Sequence, residues 1–266
     1  NSSFKLLISS KCFKKISFLI FVDGYLFSLK RWYIKAITPL SGLNVFKFIP
    51  KDLLIGKNSS MNTYIMSFFS IDCSTDIGSL FIKVKNKTFL KVLQSDKFNN
   101  DLLMKQILDF FNENKLNFGD ISKVFVNQGP GNFSGLRGSL AIAKGISLSK
   151  NLDLFGYNTF IWSCAEHIKT KDLICSLIKF REKYYIKKFD ADLKNTFKVE
   201  EISENEIIRK YDRMQKVIPK KLVECFSDKI LKLNNLSIVE LDHNVLEFLQ
   251  IKGLLDKGLI RPLYLN

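Results

Sequence analysis

Residues 121–150 constrain the fold more than any other stretch of this chain. They read ISKVFVNQG, then PGNFSGLRG, then SLAIAKGISLSK. The first piece predicts a short buried strand. Glycine and proline then force a turn, and Ser134 can cap a helix that runs to about Lys150, some 25 Å at ~1.5 Å per residue.

The turn invites a phosphate reading. Backbone N–H groups point outward at a helix start, and Arg137 lies in the first turn, so Gly129, Pro130, Gly131, Ser134, Gly135 and Arg137 form a candidate anion loop. Its spacing fits neither nucleotide fingerprint. No lysine follows the glycines as in a P-loop, and Ser134 stands where a dinucleotide loop needs its third glycine. The competing reading is geometric: Gly129 and Gly131 allow positive φ, and Pro130 stiffens the turn. The helix behind carries Gly135, Gly138, Ala141 and Gly145 at three- or four-residue spacing. Each interior glycine costs about 0.5–1 kcal/mol relative to alanine. Close packing on a neighbour, inside the domain or across an interface, would offset that cost.

Upstream, SFFSIDCST predicts a strand ending at Asp72, and GSLFIKVKNKTFLKVL two more strands joined by a turn at Lys85-Asn86-Lys87. An acid at the end of the first strand in phosphate-handling folds holds a metal ion or orients water. Alternatively, Asp72 is a turn aspartate bonded to the backbone of Ser74 or Thr75. Leu102, Leu103, Gln106, Ile107, Phe110 and Phe111 recur at helical spacing over 99–116, with Asn100 or Asp101 as cap. A strand in LDLFGYNTF, a helix in FIWSCAEHIK and a strand pair around Arg181-Glu182 follow. Residues 192–240 are polar and less regular, and NVLEFLQIKGLLDKG is a late helix. This order predicts an α/β fold with mixed sheets. A front hairpin with a helical crossover resembles the ribonuclease-H-like unit, which the actin-like ATPase fold uses twice. The expected division is an upstream extension over 1–60, a first lobe over 61–150 and a shorter second lobe over 151–266.

Residues 1–60 hold ten basic residues against Asp23 and Asp52, and the first methionine is Met61. The apolar run at 16–29 is interrupted by Asp23-Gly24, a hairpin turn signal, and is shorter than the ~20 residues of a membrane span. The formal net charge of +15 favours acidic partners or nucleic acid, yet more than half of it falls in this leader. Five scattered cysteines form no C-x-x-C pair, which points to a reducing compartment and no zinc site. The two histidines, His167 and His243, lie far apart and read as surface or half-buried residues.

SIDCSTDIGSLFIKV, NQGPGNFSGLRGSLAIAKGISLSKNLDLFGYNTF and the final RPLYLN together resemble the TsaB (YeaZ) family of Gcp-like, glycoprotease-like proteins. The likeness covers residues 67–157 and the last few. Asn132 stands where the family usually has Ser, Ser134 where it has Thr, and in SLIKFREKYY only Glu182 and Tyr184 match the family pattern.

The resemblance implies an actin-like fold without catalysis of its own. It implies a heterodimer with a TsaD-type transferase, docking of a TsaE-type ATPase, tRNA as the substrate of the whole complex, and a cytoplasmic location. It implies no metal, since the helix at 99–116 has no histidine, and no cofactor beyond a vestige of nucleotide binding. Pairing would use the two helices at 99–116 and 134–150, with Leu103, Ile107, Gly138, Leu140, Ala141, Gly145 and Ile146 as interface candidates. Each apolar one among them can equally face the subunit's own sheet. Rival readings are a small-molecule kinase of the same fold, a glycoprotease-type metallopeptidase, and a direct RNA binder. The first lacks further phosphate loops, the second lacks the metal-site histidines on the helix at 99–116, and the third rests on charge.

Overall fold

The computed structural model describes residues 18–22, 25–29, 67–93, 100–169, 173–194 and 197–265. The chain divides into two units, 1–60 and 61–266. In the first, β1 (Phe18–Val22) and β2 (Tyr25–Leu29) form an antiparallel hairpin in which Val22 pairs with Tyr25. The Asp23-Gly24 turn read between them lies outside the described residues.

The second unit contains two sheets of matching topology. β3 (Phe68–Asp72), β4 (Gly78–Val84) and β5 (Lys87–Leu93) run as an antiparallel meander. The helix α1 (Asn100–Glu113) crosses over to β6 (Lys123–Asn127), parallel to β3. The second crossover, α2 (Phe133–Lys150), leads to β7 (Asp153–Tyr157), parallel to β6. After α3 (Thr159–Cys164) the pattern repeats: β8 (Leu173–Phe180), β9 (Lys183–Asp190) and β10 (Glu200–Ile202) are antiparallel. Then α4 (Glu204–Lys210) crosses to β11 (Gln215–Pro219), parallel to β8. A 3-10 segment (Lys220–Cys225) and α5 (Asp228–Leu231) lead to β12 (Leu236–Val239), parallel to β11. Finally α6 (Val245–Ile251) brings the chain back, and β13 (Asp256–Lys257) adds to β7, completing a six-stranded first sheet beside a five-stranded second one.

The first lobe therefore extends through β7, beyond the division at residue 150 expected from the sequence, and recruits residues 256–257. The irregular reading of 192–240 also changes: this stretch supplies β10, α4, β11 and β12. Its strands are short, and QKVIP and LSIV carry too few residues for a clear alternation.

Alternation along β3 assigns its faces. Phe69 and Ile71 join Val124, Val126, Leu103, Ile107, Leu140 and Ile146 in a core under α1 and α2. Phe68 points the other way and joins Phe125, Phe155 and Tyr157 in a second core with α3 and the second sheet. All six residues of α3 are buried. A sheet covered on both faces explains why β3 is apolar throughout except Ser70 and Asp72.

Candidate functional site

Asp72 ends β3 at the mouth of the cleft between the lobes, and it is almost wholly buried. Its Oδ1 accepts from the Ser74 amide (3.0 Å), the Ser74 hydroxyl (2.7 Å) and Asn127 Nδ2 (2.9 Å). Its Oδ2 accepts from the Lys221 ammonium at 2.6 Å, delivered by the 3-10 segment of the opposite lobe. These bonds match the reading of Asp72 as a turn aspartate bonded to the Ser74 backbone, while its other oxygen is taken by Lys221. Burial alone would raise its pKa. The Lys221 charge, with the hydrogen bonds from Lys221 and Ser74, outweighs burial and holds the carboxyl below its usual range.

The glycine turn closes against this cluster. Gly129 sits at φ +108°, so its positive-φ role holds. Gly131 has no such φ; it is glycine because a Cβ there would lie 1.8 Å from the Ser74 carbonyl oxygen. A Cβ on Gly135 would stand 2.4 Å from the Cys73 carbonyl oxygen. Two of the turn's donors are spent internally: the Gly129 N–H donates to Asn127 Oδ1 at 2.8 Å, and the Asn132 N–H to the Ser74 carbonyl at 2.8 Å. The Gly129-Pro130 bond is cis. The helix cap is Asn132, whose side chain accepts from the Ser134 amide, in place of the expected Ser134. Arg137 does not turn into the cleft. Its guanidinium lies 4.9 Å from the Phe133 ring, which stacks on Tyr264.

Beyond Asp72 the cleft encloses about 340 Å³, walled by Ile77, Phe81, Leu90, Val92, Trp162 and Leu241 on its apolar side. His243 forms part of the wall and overturns its reading as a surface or half-buried residue. It is buried between Phe81 (ring centroids 5.0 Å) and Trp162 (4.8 Å), and its ring nitrogens lie 2.9 Å from Ser79 Oγ and 3.0 Å from Ser70 Oγ. Burial lowers its pKa to about 4, so the ring is neutral near pH 7. No sequence signal separated His243 from His167, since its partners are serines on strands far away in sequence.

An actin-like ATPase-type fold implies a nucleotide with its divalent cation in such a cleft. The residues here do not fit that group. Both oxygens of Asp72 are engaged by protein donors, one of them by a full positive charge, and the Gly129 and Asn132 amides of the glycine turn face internal acceptors. Among the described residues no group of three His, Cys, Asp or Glu side chains is arranged to hold a metal ion. No helix among them is long and apolar enough to cross a membrane.

The interface candidates separate by exposure. Leu103, Ile107, Leu140 and Ile146 are buried in the core under α1 and α2 and face the chain's own sheet, which removes them from any open surface. Ala141 and Gly145 are exposed, Gly138 is half-buried, and a Cβ on Gly145 would meet nothing within 4 Å. The open faces also carry Leu148, 85% exposed, with Leu102 and Leu108, each 43% exposed. Sequence periodicity missed Leu108 and Leu148, which lie off the main apolar stripes; it counted Leu102 on the stripe of α1, where the structure leaves that residue at the stripe's open edge.

Two α/β lobes of repeated topology around a cleft define the actin-like, ribonuclease-H-like class. Two solved structures from Pseudomonas aeruginosa share this fold. One is described as similar to the peptidase YeaZ (TM-score 0.58, 12% identity, covering 76% of this chain and all of that one), the other as YeaZ (TM-score 0.57, 13% identity, 75% and all). In sequence, the chain is 31% identical over 90 residues to the tRNA threonylcarbamoyladenosine biosynthesis protein TsaB of Buchnera aphidicola subsp. Baizongia pistaciae, which is 33% of this chain and 40% of that protein. The sequence model of a family described as "TsaD: tRNA N6-adenosine threonylcarbamoyltransferase" matches residues 95–188. The chain thus resembles TsaB/YeaZ proteins in sequence and in fold, as its motifs indicated.

Proposed function

We propose that this chain is the non-catalytic subunit that pairs with a TsaD-type transferase in threonylcarbamoylation of the adenosine next to the tRNA anticodon. The observation that carries the reading is the 90-residue likeness to a TsaB. The chemistry of the cleft supports it: Asp72, the acid that ends the first strand, is already paired with Lys221, which disfavours the kinase and metallopeptidase readings alike. The pairing surface in this reading is the open face of α1 and α2, with Leu102, Leu108, Ala141, Gly145 and Leu148. A TsaE-type ATPase would dock on the pair, and tRNA would be bound by the assembly.

Co-expression of the full chain with the TsaD-type protein of the same cell tests this directly. The expected result is a stable one-to-one complex by size exclusion with light scattering, and restored threonylcarbamoyladenosine in a reconstituted reaction that neither protein supports alone. Failure to associate at micromolar concentrations would sink the proposal. ATP turnover by the isolated chain would favour the kinase in its place.

A further inference from the structure

The Asp72–Lys221 pair joins opposite lobes, and nothing about a partner protein explains it. The ammonium is fixed on three sides: Asp72 Oδ2 at 2.6 Å, Ser74 Oγ at 3.1 Å and the Trp162 ring at 6.0 Å. Its side chain is 16% exposed and that of Asp72 3% exposed, so the pair is shielded from solvent ions. Each carboxylate oxygen already has its donors. Ser74, which shapes the carboxylate, is itself held through its carbonyl by the Asn132 amide. A ligand cation could enter only by displacing Lys221, and a ligand anion would meet a carboxylate whose charge is already balanced.

We propose that Lys221 is a built-in cation that closes the Asp72 site to external ligands and latches the two lobes together. Other contacts cross the same divide. His243 of the second lobe is held by Ser70 and Ser79 of the first, Glu247 on α6 pairs with Lys83 on β4, and Gln250 bonds Lys123 at 2.9 Å. The His243 contact is close to the bridge, since Ser79 is the β4 residue paired with Asp72 and His243 lines the same cleft. Removing the Lys221 bridge alone should therefore loosen the lobes around Asp72 while the remaining contacts keep them joined.

The test is amide hydrogen exchange of the full chain, unvaried and as Lys221→Met, Asp72→Asn and the double variant. Lys221→Met keeps the apolar stem and removes the charge. The latch predicts that each single change speeds exchange about tenfold in both 72–79 and 220–225, and that the double variant exchanges no faster than the faster single one. Loosening confined to the substituted lobe, or effects that multiply in the double variant, would overturn it. A titration of the unvaried chain with magnesium-ATP, and with Mn²⁺ followed by its electron paramagnetic resonance signal, needs no substitution. No binding at millimolar concentration is expected, and micromolar binding of either would overturn the closed site.

Discussion

His243 carries its stability contribution as a neutral ring. The unfolded chain takes up the proton near pH 6.5, whereas the folded site resists it until about pH 4. Stability is therefore complete above the unfolded value and is lost as pH falls between the two. The loss amounts to roughly 3 kcal/mol at ~1.4 kcal/mol per unit. Thermal melts between pH 7 and pH 4 should show this acid limb, and His243→Gln should flatten it. Single glycines give sharper contrasts. Gly135→Ala drives a methyl into the Cys73 carbonyl and should cost about 1–3 kcal/mol. Gly145→Ala fills open space and should stabilise the free chain by about 0.5–1 kcal/mol; chemical denaturation compares the two. Asp72 was legible as a residue of interest because it ends an apolar strand before Ser and Thr. Its counter-charge was not, because Lys221 lies in a stretch with no recognisable motif and reaches Asp72 only through the fold.

At the scale of elements, α1 and α2 each show one face to the sheet and one to solvent, and the two faces should respond differently to substitution. Leu103→Ala empties core volume and should cost about 2–5 kcal/mol in denaturant unfolding. Leu148→Glu, at an 85% exposed position, should leave stability within about 0.5 kcal/mol yet, on the proposed function, weaken pairing with a TsaD-type protein at least about tenfold by calorimetry. Equal partner affinity for Leu148→Glu would move the interface off this face. The helical spacing identified both helices; the family resemblance offered Leu103, Ile107, Leu140 and Ile146 as interface candidates, with the chain's own sheet as the alternative, and the sheet holds them. Periodicity marks the apolar stripe of a helix, and on a sheet-packed helix that stripe belongs to the core. The small residues fall on both sides: Gly135 is squeezed against the Cys73 carbonyl, while Ala141 and Gly145 face outward.

At the scale of the molecule, two copies of one strand order face each other: a three-stranded meander followed by two parallel strands reached through crossovers. The first copy was readable because its apolar runs are bounded by polar turn residues, such as Lys85-Asn86-Lys87 between β4 and β5. The second was readable only in its opening strand pair; β11 and β12 depend on neighbours for their burial and leave a faint local trace.

One feature of the sheet order bears on how the chain reaches this state. The edge of the first sheet at β7 is covered by residues 256–257, and Leu263 N–H bonds the Gln128 carbonyl at 2.6 Å while Gln128 Nε2 bonds the Arg261 carbonyl at 2.9 Å. The first lobe is thus finished by residues that lie beyond the whole second lobe. During synthesis β7 stays an open edge, able to pair wrongly, until that late segment leaves the ribosome. Maturation of the first lobe must wait for residues made after the whole second lobe.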